Sequence, residues 1–509
     1  MGEIFSHAVE VLVWLGNDLE QQSTIVFDEV DRQFSLDSVT GPVLFSVECM
    51  LNWSAHVWQA VNALYANPWF TRVWIQQEMG LAEHATFYWG LSIVPRYMVS
   101  ALHNSIVRGL YADDRIDGLL SNPIMNISST LRTRNWNSNQ SMEPRFSFVR
   151  LLYVYRHLVA TDPRDYIYGI LSHPSAREPG SRTNLLVTPD YSKTVESVYL
   201  SAMKAMLIDP RSTGLQPLLL IHHTAGTLMA DVPSWVAWLH HPSETSPEQD
   251  SRAELPLSHS RWQIPPPNLL PDLKNMPFTA GDSLEVELDM QEYRLNISGT
   301  IFDSLESVWM DPKEKLLDLW VAHLLESNSI STIPTGLVER LGDNLPILAK
   351  WLEATPYEDI IFAAASTLTR GYTFYENRLL KAFEHPEMFR NSFLSYLNQE
   401  TGLFTQASSP PDDDPLPNML SFSKFANISS GARSFARSEK GFFGLVPTIA
   451  AQGDCIAVFS GVIVPYVLRP VSDGVYKIVG HCYVQGIMYG EAIRTMQDRG
   501  ETTTNLVII

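Results

Sequence analysis

The hydrophobic pattern opens with a short apolar run, Ala8-Val-Glu-Val-Leu-Val-Trp-Leu-Gly16, closed by Asn17 and Asp18. It predicts a buried strand over residues 9–15 and then a turn, entered from the last turn of a helix at residues 2–6. Between residues 46 and 65, Val47, Met50, Val57, Trp58, Val61 and Leu64 recur at helical spacing. Asn67-Pro68 ends that helix and begins another, with Asn as N-cap and Pro at the first helical position. The new helix carries Phe70, Trp74 and Leu81 on one side and gives way to a strand, Ala85–Trp89, closed by Gly90. Strand, helix, helix, strand is the grammar of an α/β sheet.

Further along, residues 147–159 read as an amphipathic helix, a second helix begins at Thr161-Asp-Pro-Arg-Asp165, and residues 194–207 form a third. Residues 240–268 are rich in Pro, Ser and Glu and read as a linker or large loop. Residues 284–288 and 293–301 alternate polar with apolar around a turn, which predicts a β-hairpin. Helical patterns return at 312–326, 336–354, 357–368 and 376–398, and 408–415 is an acidic loop. From Gly441 the chain turns to strands, at 455–460, 462–469, 475–479 and 482–487, whose Gly and Pro breaks predict a small barrel or curled sheet. The domain reading is an α/β domain over 1–175, a helical continuation over 176–240 and a linker over 241–283. A C-terminal region over 284–509 follows, in which the hairpin at 284–301 joins strands 455–487 around a helical insertion at 312–400.

Composition narrows the chemistry. With 509 residues, 45% hydrophobic and 18% charged, the chain is globular and large enough for about two to four domains. Lys plus Arg is 36 and Asp plus Glu is 56, a net charge of −20, so its overall field would repel a nucleic-acid backbone. A basic run, Arg433, Arg437 and Lys440, is interrupted by Glu439 and reads as a solvated loop. Cys49, Cys455 and Cys482 form no CxxC pair, which gives neither a disulfide nor a zinc framework and fits a reducing compartment. No apolar run reaches the ~20 residues of a membrane span, and no secretory signal is evident. The chain is therefore expected in the cytoplasm, where the Asn-x-Ser matches at Asn52, Asn126, Asn296 and Asn427 are coincidental. The start also fits the loose N-myristoylation pattern through Gly2 and Ser6, although a helix turn accounts for the same residues. The pairs His222-His223 and His240-His241 lack metal-ligand spacing. No metal and no cofactor is expected.

Several blocks then fall in a telling order. Val11-Leu-Val-Trp14-Leu-Gly16 with Asp18 is followed by Pro68-Trp69-Phe-Thr-Arg72-Val-Trp74-Ile-Gln-Gln-Glu78. Next come Thr161-Asp162-Pro163-Arg164-Asp165, Pro189-Asp-Tyr-Ser192 and Pro233-Ser-Trp-Val236. The tail brings Gly441-Phe-Phe-Gly-Leu-Val-Pro447, Gly453-Asp454, Pro465-Tyr-Val-Leu-Arg469-Pro470, Gly480-His-Cys-Tyr-Val-Gln-Gly486 and Gly490-Glu491-Ala492. In this order the blocks resemble the fungal heterokaryon-incompatibility (HET) domain family over nearly the whole chain. The resemblance implies an α/β domain of TIR-like or flavodoxin-like type, then a helical region and a small β-rich, barrel-like unit. It implies a role in fungal non-self recognition and programmed cell death, through self-association or association with another incompatibility protein. The family's usual opening, two strands and the helix between them, has no counterpart here. The chain is thus expected to be N-terminally truncated within the HET domain, which would leave neighbouring strand edges and apolar faces uncovered or make it an inactive copy.

One catalytic reading comes with the resemblance. Some TIR domains cleave NAD with a glutamate in a Trp-x-x-x-Glu helix motif, and Trp74-Ile-Gln-Gln-Glu78 has that spacing. Residues four apart share a helix face, so Trp74 could pack beside a substrate while Glu78 holds a ribose hydroxyl as an oxocarbenium-like centre forms. NAD would then be a substrate. The plainer reading makes Trp74 core and Glu78 a surface carboxylate paired with Arg72 or a neighbour. The charge-dense block at 161–165 has a structural reading too: Thr161 or Asp162 caps a helix, Pro163 fills its first turn, Arg164 pairs with a carboxylate and Asp165 faces free amides. Gly453-Asp454 reads as a turn before a strand, and Arg469 with Glu491 as a buried pair.

Overall fold

The computed structural model describes residues 2–36, 45–112, 114–117, 119–120, 147–155, 158–181, 183–212, 215–240, 279–281, 288–291, 293–312, 314–316, 318–319, 322, 348, 354–375, 378–401 and 419–509. They fall into two compact units. One draws on residues 1–212 and 239–258, the other on 213–238 and 259–509. The stretch 176–240 is therefore divided, its helix going to the first unit and residues 213–238 to the second. The linker at 241–283, the helices at 312–326 and 336–354 and the acidic loop at 408–415 lie wholly or largely outside the described residues.

In the first unit, helix α1 (Gly2–His7) leads into strand β1 (Val11–Trp14). β1 pairs in parallel with β2 (Ala85–Trp89), and β2 pairs antiparallel with β3 (Ser92–Pro95). After β1, Gly16 turns the chain at φ +100°. The Asp18 carboxylate then accepts the amides of Gln22 and Ser23 at 2.9 and 2.6 Å and caps α2 (Gln22–Leu36). The helix expected over 46–65 is two helices, α3 (Val47–Leu51) and α4 (Ala55–Tyr65). Ser54 breaks it: its hydroxyl accepts the Val57 amide and so starts a new helix.

Asn67 behaves as its position predicts. Its side-chain oxygen accepts the Trp69 amide at 3.0 Å, while its side-chain nitrogen donates to the Leu15 carbonyl at 2.5 Å. The turn it caps, Pro68–Thr71, is 3-10, and the α-helix α5 spans Ile75–Leu81. Trp69 and Phe70 drop from that turn onto Phe87 of β2, with ring centroids 5.3 and 6.4 Å apart. These side chains, with Val11, Val13, Leu64 and Trp89, belong to the core cluster of this unit. The strand expected to be wholly buried is buried on one face only, because Leu12 and Trp14 stay exposed. Helices α6 (Arg96–Ala112), α7 (Asp114–Asp117), α8 (Phe148–Tyr155), α9 (Asp165–Tyr168) and α10 (Val195–Ile208) follow, the last capped by Thr194.

The second unit is organised by strands. After the short helix α11 (Ala225–Met229) come β4 (Leu288–Met290) and β5 (Leu295–Trp309), paired antiparallel. β5 also pairs with β10 (Cys455–Phe459) and β14 (Thr504–Ile508). β10 pairs with β11 (Tyr466–Ser472), β11 with β12 (Val475–His481), and β12 with β14. The ring β5–β10–β11–β12–β14 is closed, a five-stranded barrel. Beyond a register shift at Leu305/Ser307, the far half of β5 leaves the ring. It pairs there with β8 (Arg433–Ser438), which carries on to β9 (Phe443–Pro447) and β13 (Tyr483–Val484).

Helices α12 (Ile360–Thr369), α13 (Pro386–Thr401) and α14 (Met419–Ser430) share a core that includes Phe389, Phe393, Phe422, Phe435 and Phe443. Where a helix was expected from 376, strands β6 (Tyr372–Tyr375) and β7 (Arg378–Lys381) pair antiparallel, and the helix α13 begins only at Pro386. The basic run is not a solvated loop. Arg433 and Arg437 are buried in β8, where Arg433 donates to the His481 carbonyl at 2.5 Å and Arg437 pairs with Glu306. The block Pro233–Val236 anchors the barrel. Trp235 is fully buried, and Ser234 donates to the Ile509 carbonyl and accepts the Ile478 amide at 2.9 Å.

Gly453 makes the expected turn at φ +85°, and Asp454 behind it is buried. Arg469 meets Asp454 through two bonds of 2.9 Å, and the Ala451 amide adds a third at 2.8 Å. The Arg469–Glu491 pair expected from sequence does not form: Glu491, at the start of α15 (Glu491–Asp498), accepts the Tyr489 amide instead. Asp454 directly precedes β10, whose register with β11 sets Cys455 opposite Leu468 and so brings Asp454 beside Arg469. Gly486, at φ +95°, packs against Phe442 and turns the chain after β13. Replacing Arg469 with Met strands a buried carboxylate and is expected to cost about 3 kcal/mol. Arg469→Lys recovers only part of this, because a point charge cannot make the two-pronged contact. Hydrogen exchange at β10 and β11 amides reads both changes.

Candidate functional site

Three motif blocks of the first unit converge on helix α5. Residues 71–73 form a short parallel bridge with Val159: the Val159 amide donates to the Thr71 carbonyl at 2.6 Å, and the Val73 amide to the Val159 carbonyl at 3.0 Å. The next residue, Trp74, donates its indole N–H to Asp165 at 3.0 Å. Gln77 then donates to the Tyr168 carbonyl at 3.1 Å and accepts the Ser172 hydroxyl at 2.9 Å. The block at 161–165 is thereby fastened along α5.

Within that block each charge has a local task. The Asp162 carboxylate accepts the Arg164 amide at 3.0 Å and its guanidinium at 2.9 and 2.7 Å. The Arg164 hydrogen bonds hold the Asp162 carboxyl below the usual range. Arg164 thus pairs with Asp162, but the expected cap does not form: the Asp162 bond to the Arg164 amide is a local turn that includes Pro163, and α9 starts at Asp165 with no side-chain cap. Arg164 goes further. It donates to the carbonyls of Tyr191 and Lys193 at 2.6 and 2.9 Å and lies 5.2 Å from the Tyr191 ring centre. Asp165 departs from expectation. Its carboxylate accepts the Trp74 indole and the Tyr191 hydroxyl, the latter at 2.6 Å. Burial, and then the bond to Asp165, pushes the Tyr191 hydroxyl well above its ordinary range.

The block Pro189–Ser192 closes the arrangement. Tyr168 donates its hydroxyl to the Asp190 carbonyl and accepts the Asp190 amide, at 3.1 and 3.0 Å. Buried Tyr199 donates to the Pro163 carbonyl at 2.7 Å, and its hydroxyl lies 3.0 Å from His240 Nδ1. Tyr191, Tyr199 and His240 carry the junction, yet no spacing singles them out in sequence. They lie 26 or more positions from the groups they serve, and Pro189-Asp-Tyr-Ser192 was legible only as a block.

Glu78 lies apart from this carboxylate. It is half-buried, and desolvation pushes its carboxyl up against the lowering influence of the Arg72 charge and a hydrogen bond from Trp69. Arg72 is exposed and Trp69 is buried. Trp74 commits its single donor to Asp165, which leaves its indole face but not its N–H for any ligand. Trp14 is exposed on β1. Among the described residues no cluster of His, Cys, Asp and Glu could hold a metal ion, and no helix is long and apolar enough to cross a membrane.

Two outcomes are expected. Asp165→Ala should cost about 1–3 kcal/mol by releasing Trp74 and Tyr191, and Tyr191→Phe in that background should add almost nothing, which a double-mutant cycle by denaturation would read. Glu78 has its folded pKa raised, so its stabilising contribution is complete below the ordinary glutamate range and is lost as pH rises through the folded value. Glu78→Gln should therefore gain stability relative to the parent as pH climbs from about 4 toward neutrality, measured as unfolding midpoints against pH.

Comparison with known proteins fits this map of motifs. Residues 1–78 match the family model "Heterokaryon incompatibility protein (HET)", and residues 421–501 match "Het-6 beta-barrel domain". The second match spans β10, β11 and β12 of the barrel, while β5 and β14 lie outside it. The chain is 23% identical to Heterokaryon incompatibility protein 6, OR allele, of Neurospora crassa, over 98% of this chain and 78% of that one. No solved structure matches. The chain therefore carries a match to the HET domain at its start and to the Het-6 β-barrel domain toward its C-terminal end.

Proposed function

We propose that the chain acts in fungal non-self recognition, triggering programmed cell death by associating with itself or with another incompatibility protein. The observation that carries this is the pair of family matches at the two ends of a chain that aligns almost throughout with an incompatibility protein. The junction around Asp165 supports it. Its groups are spent on one another, as in a clamp that fixes the shape of a surface, and the indole N–H of Trp74 is not offered to a ligand. The reading places the protein in the cytoplasm, without a cofactor.

A second reading, NAD cleavage by Glu78, draws on one observation: a half-buried carboxyl whose proton is held above the usual range. One experiment separates the two. Purified chain, alone and clustered on beads, is incubated with NAD and nicotinamide is measured. Association predicts release no greater than from Glu78→Gln, together with lost hyphal viability on induced expression in a filamentous fungus. Nicotinamide release that Glu78→Gln abolishes would replace the first reading with the second.

A further inference from the structure

One threonine of the second unit stands between a proline and a cation. Thr355 is followed by Pro356, and after Tyr357 come two carboxylates, Glu358 and Asp359. Ala354, Pro356 and Glu358 are exposed and Thr355 is half-buried, in a stretch that is neither helix nor strand. The Thr355 hydroxyl accepts the Tyr357 amide at 3.4 Å. Among the described residues it donates to nothing, so its proton is not held. The stretch itself is fixed from both sides. Arg437 donates to the Ala354 carbonyl at 3.0 Å, and the Tyr357 hydroxyl donates to the Gln485 carbonyl and accepts the Phe443 amide, at 2.8 and 2.9 Å.

Thr355 lines a cavity of about 360 Å³, together with Asp359, Ile360 and Arg390. Arg390 comes from α13, its side chain is 43% exposed, and it pairs with Asp359 through Nη2. A guanidinium carries five donors. Among the described residues Arg390 spends only those of Nη2, and its Nε has no acceptor. Asp359 has both oxygens engaged, one by Arg390 and the other by the Phe362 amide at 3.0 Å. Glu358 is exposed to water. Arg390 is therefore the group that decides whether the cavity can hold a further anion, and a planar fork with donors to spare suits a tetrahedral one.

We propose that Thr355 is a phosphorylation site for a proline-directed protein kinase, and that Arg390 receives the phosphate. The Thr355 oxygen attacks the γ-phosphorus of a nucleoside triphosphate. The bond from that phosphorus to the β-phosphate oxygen breaks, nucleoside diphosphate leaves, and the hydroxyl proton passes to the kinase's base. The product carries close to two negative charges at neutral pH. Bonded to Arg390, it ties the stretch ahead of α12 to α13, beside the Asp359 contact that already joins them. This regulatory site does not rest on the association reading.

The test uses the full purified chain carrying Thr188→Ala, Ser246→Ala and Ser409→Ala, which leaves Thr355-Pro356 as its one Ser-Pro or Thr-Pro pair. The chain is incubated with magnesium ATP and a proline-directed kinase verified on a Thr-Pro peptide. Mass spectrometry locates the phosphate, and phosphorus NMR follows its second ionisation, which lies near about 6 when nothing restrains it. Expected is phosphate on Thr355 and none in the Thr355→Ala chain. In Arg390→Gln the phosphate should bind its proton about two- to fivefold more tightly than with Arg390 present, the effect of losing a half-exposed ion pair. The proposal is overturned if Thr355 takes no phosphate, or if the phosphate ionises identically with Arg390 and with glutamine in its place.

Discussion

One strand holds the second unit to its shape. β5 runs fifteen residues, Leu295–Trp309, and must serve two sheets at once. Its first half pairs with β10 and β14 and so closes the five-stranded ring, which leaves that ring no unpaired edge. Its second half turns out at the shift beyond Leu305 and pairs with β8. The chain distance is long: β5 and β10 are separated by the whole helical stretch, so closing the barrel carries a loop-closure cost, although one that grows only slowly with that length. The buried valines and isoleucines of β10, β11 and β12 offset that cost, and the Asp454–Arg469 contact fixes β10 beside β11.

The first unit rests on a different device, a carboxylate with two donors. Asp165 gathers the Trp74 indole and the Tyr191 hydroxyl, and Arg164 and Tyr168 hold the chain around Tyr191 by its carbonyls and amides. Charge-assisted bonds of this kind stiffen what they join. The motif blocks therefore describe one structural knot rather than three separate sites.

Sequence made some of this legible and hid the rest for physical reasons. Strand Ala85–Trp89 and the cap at Asn67 were readable because period-two patterning and capping chemistry are local. The barrel could be expected from its Gly and Pro punctuation, although β8, β9 and β14 could not. β8 carries two arginines, and the buried environment that neutralises them, Glu306 and His481, is far away in sequence. The Arg469 partner was misassigned for the same reason, since register alone places Asp454 beside it. Tyr191 was visible only as one letter of a block, because the geometry that gives it a role spans 26 residues.

The proposed reading is that this protein acts by association, and the competing reading is NAD cleavage at Glu78. Trp14 and Glu78 separate these most cleanly, since one is an exposed apolar side chain on β1 and the other a half-buried carboxylate. The direct measurement is hyphal viability after matched induction of the parent chain, Trp14→Lys and Glu78→Gln in a filamentous fungus. The account expects Trp14→Lys to spare the cells and Glu78→Gln to kill them like the parent. Death that persists in Trp14→Lys and vanishes in Glu78→Gln would contradict it.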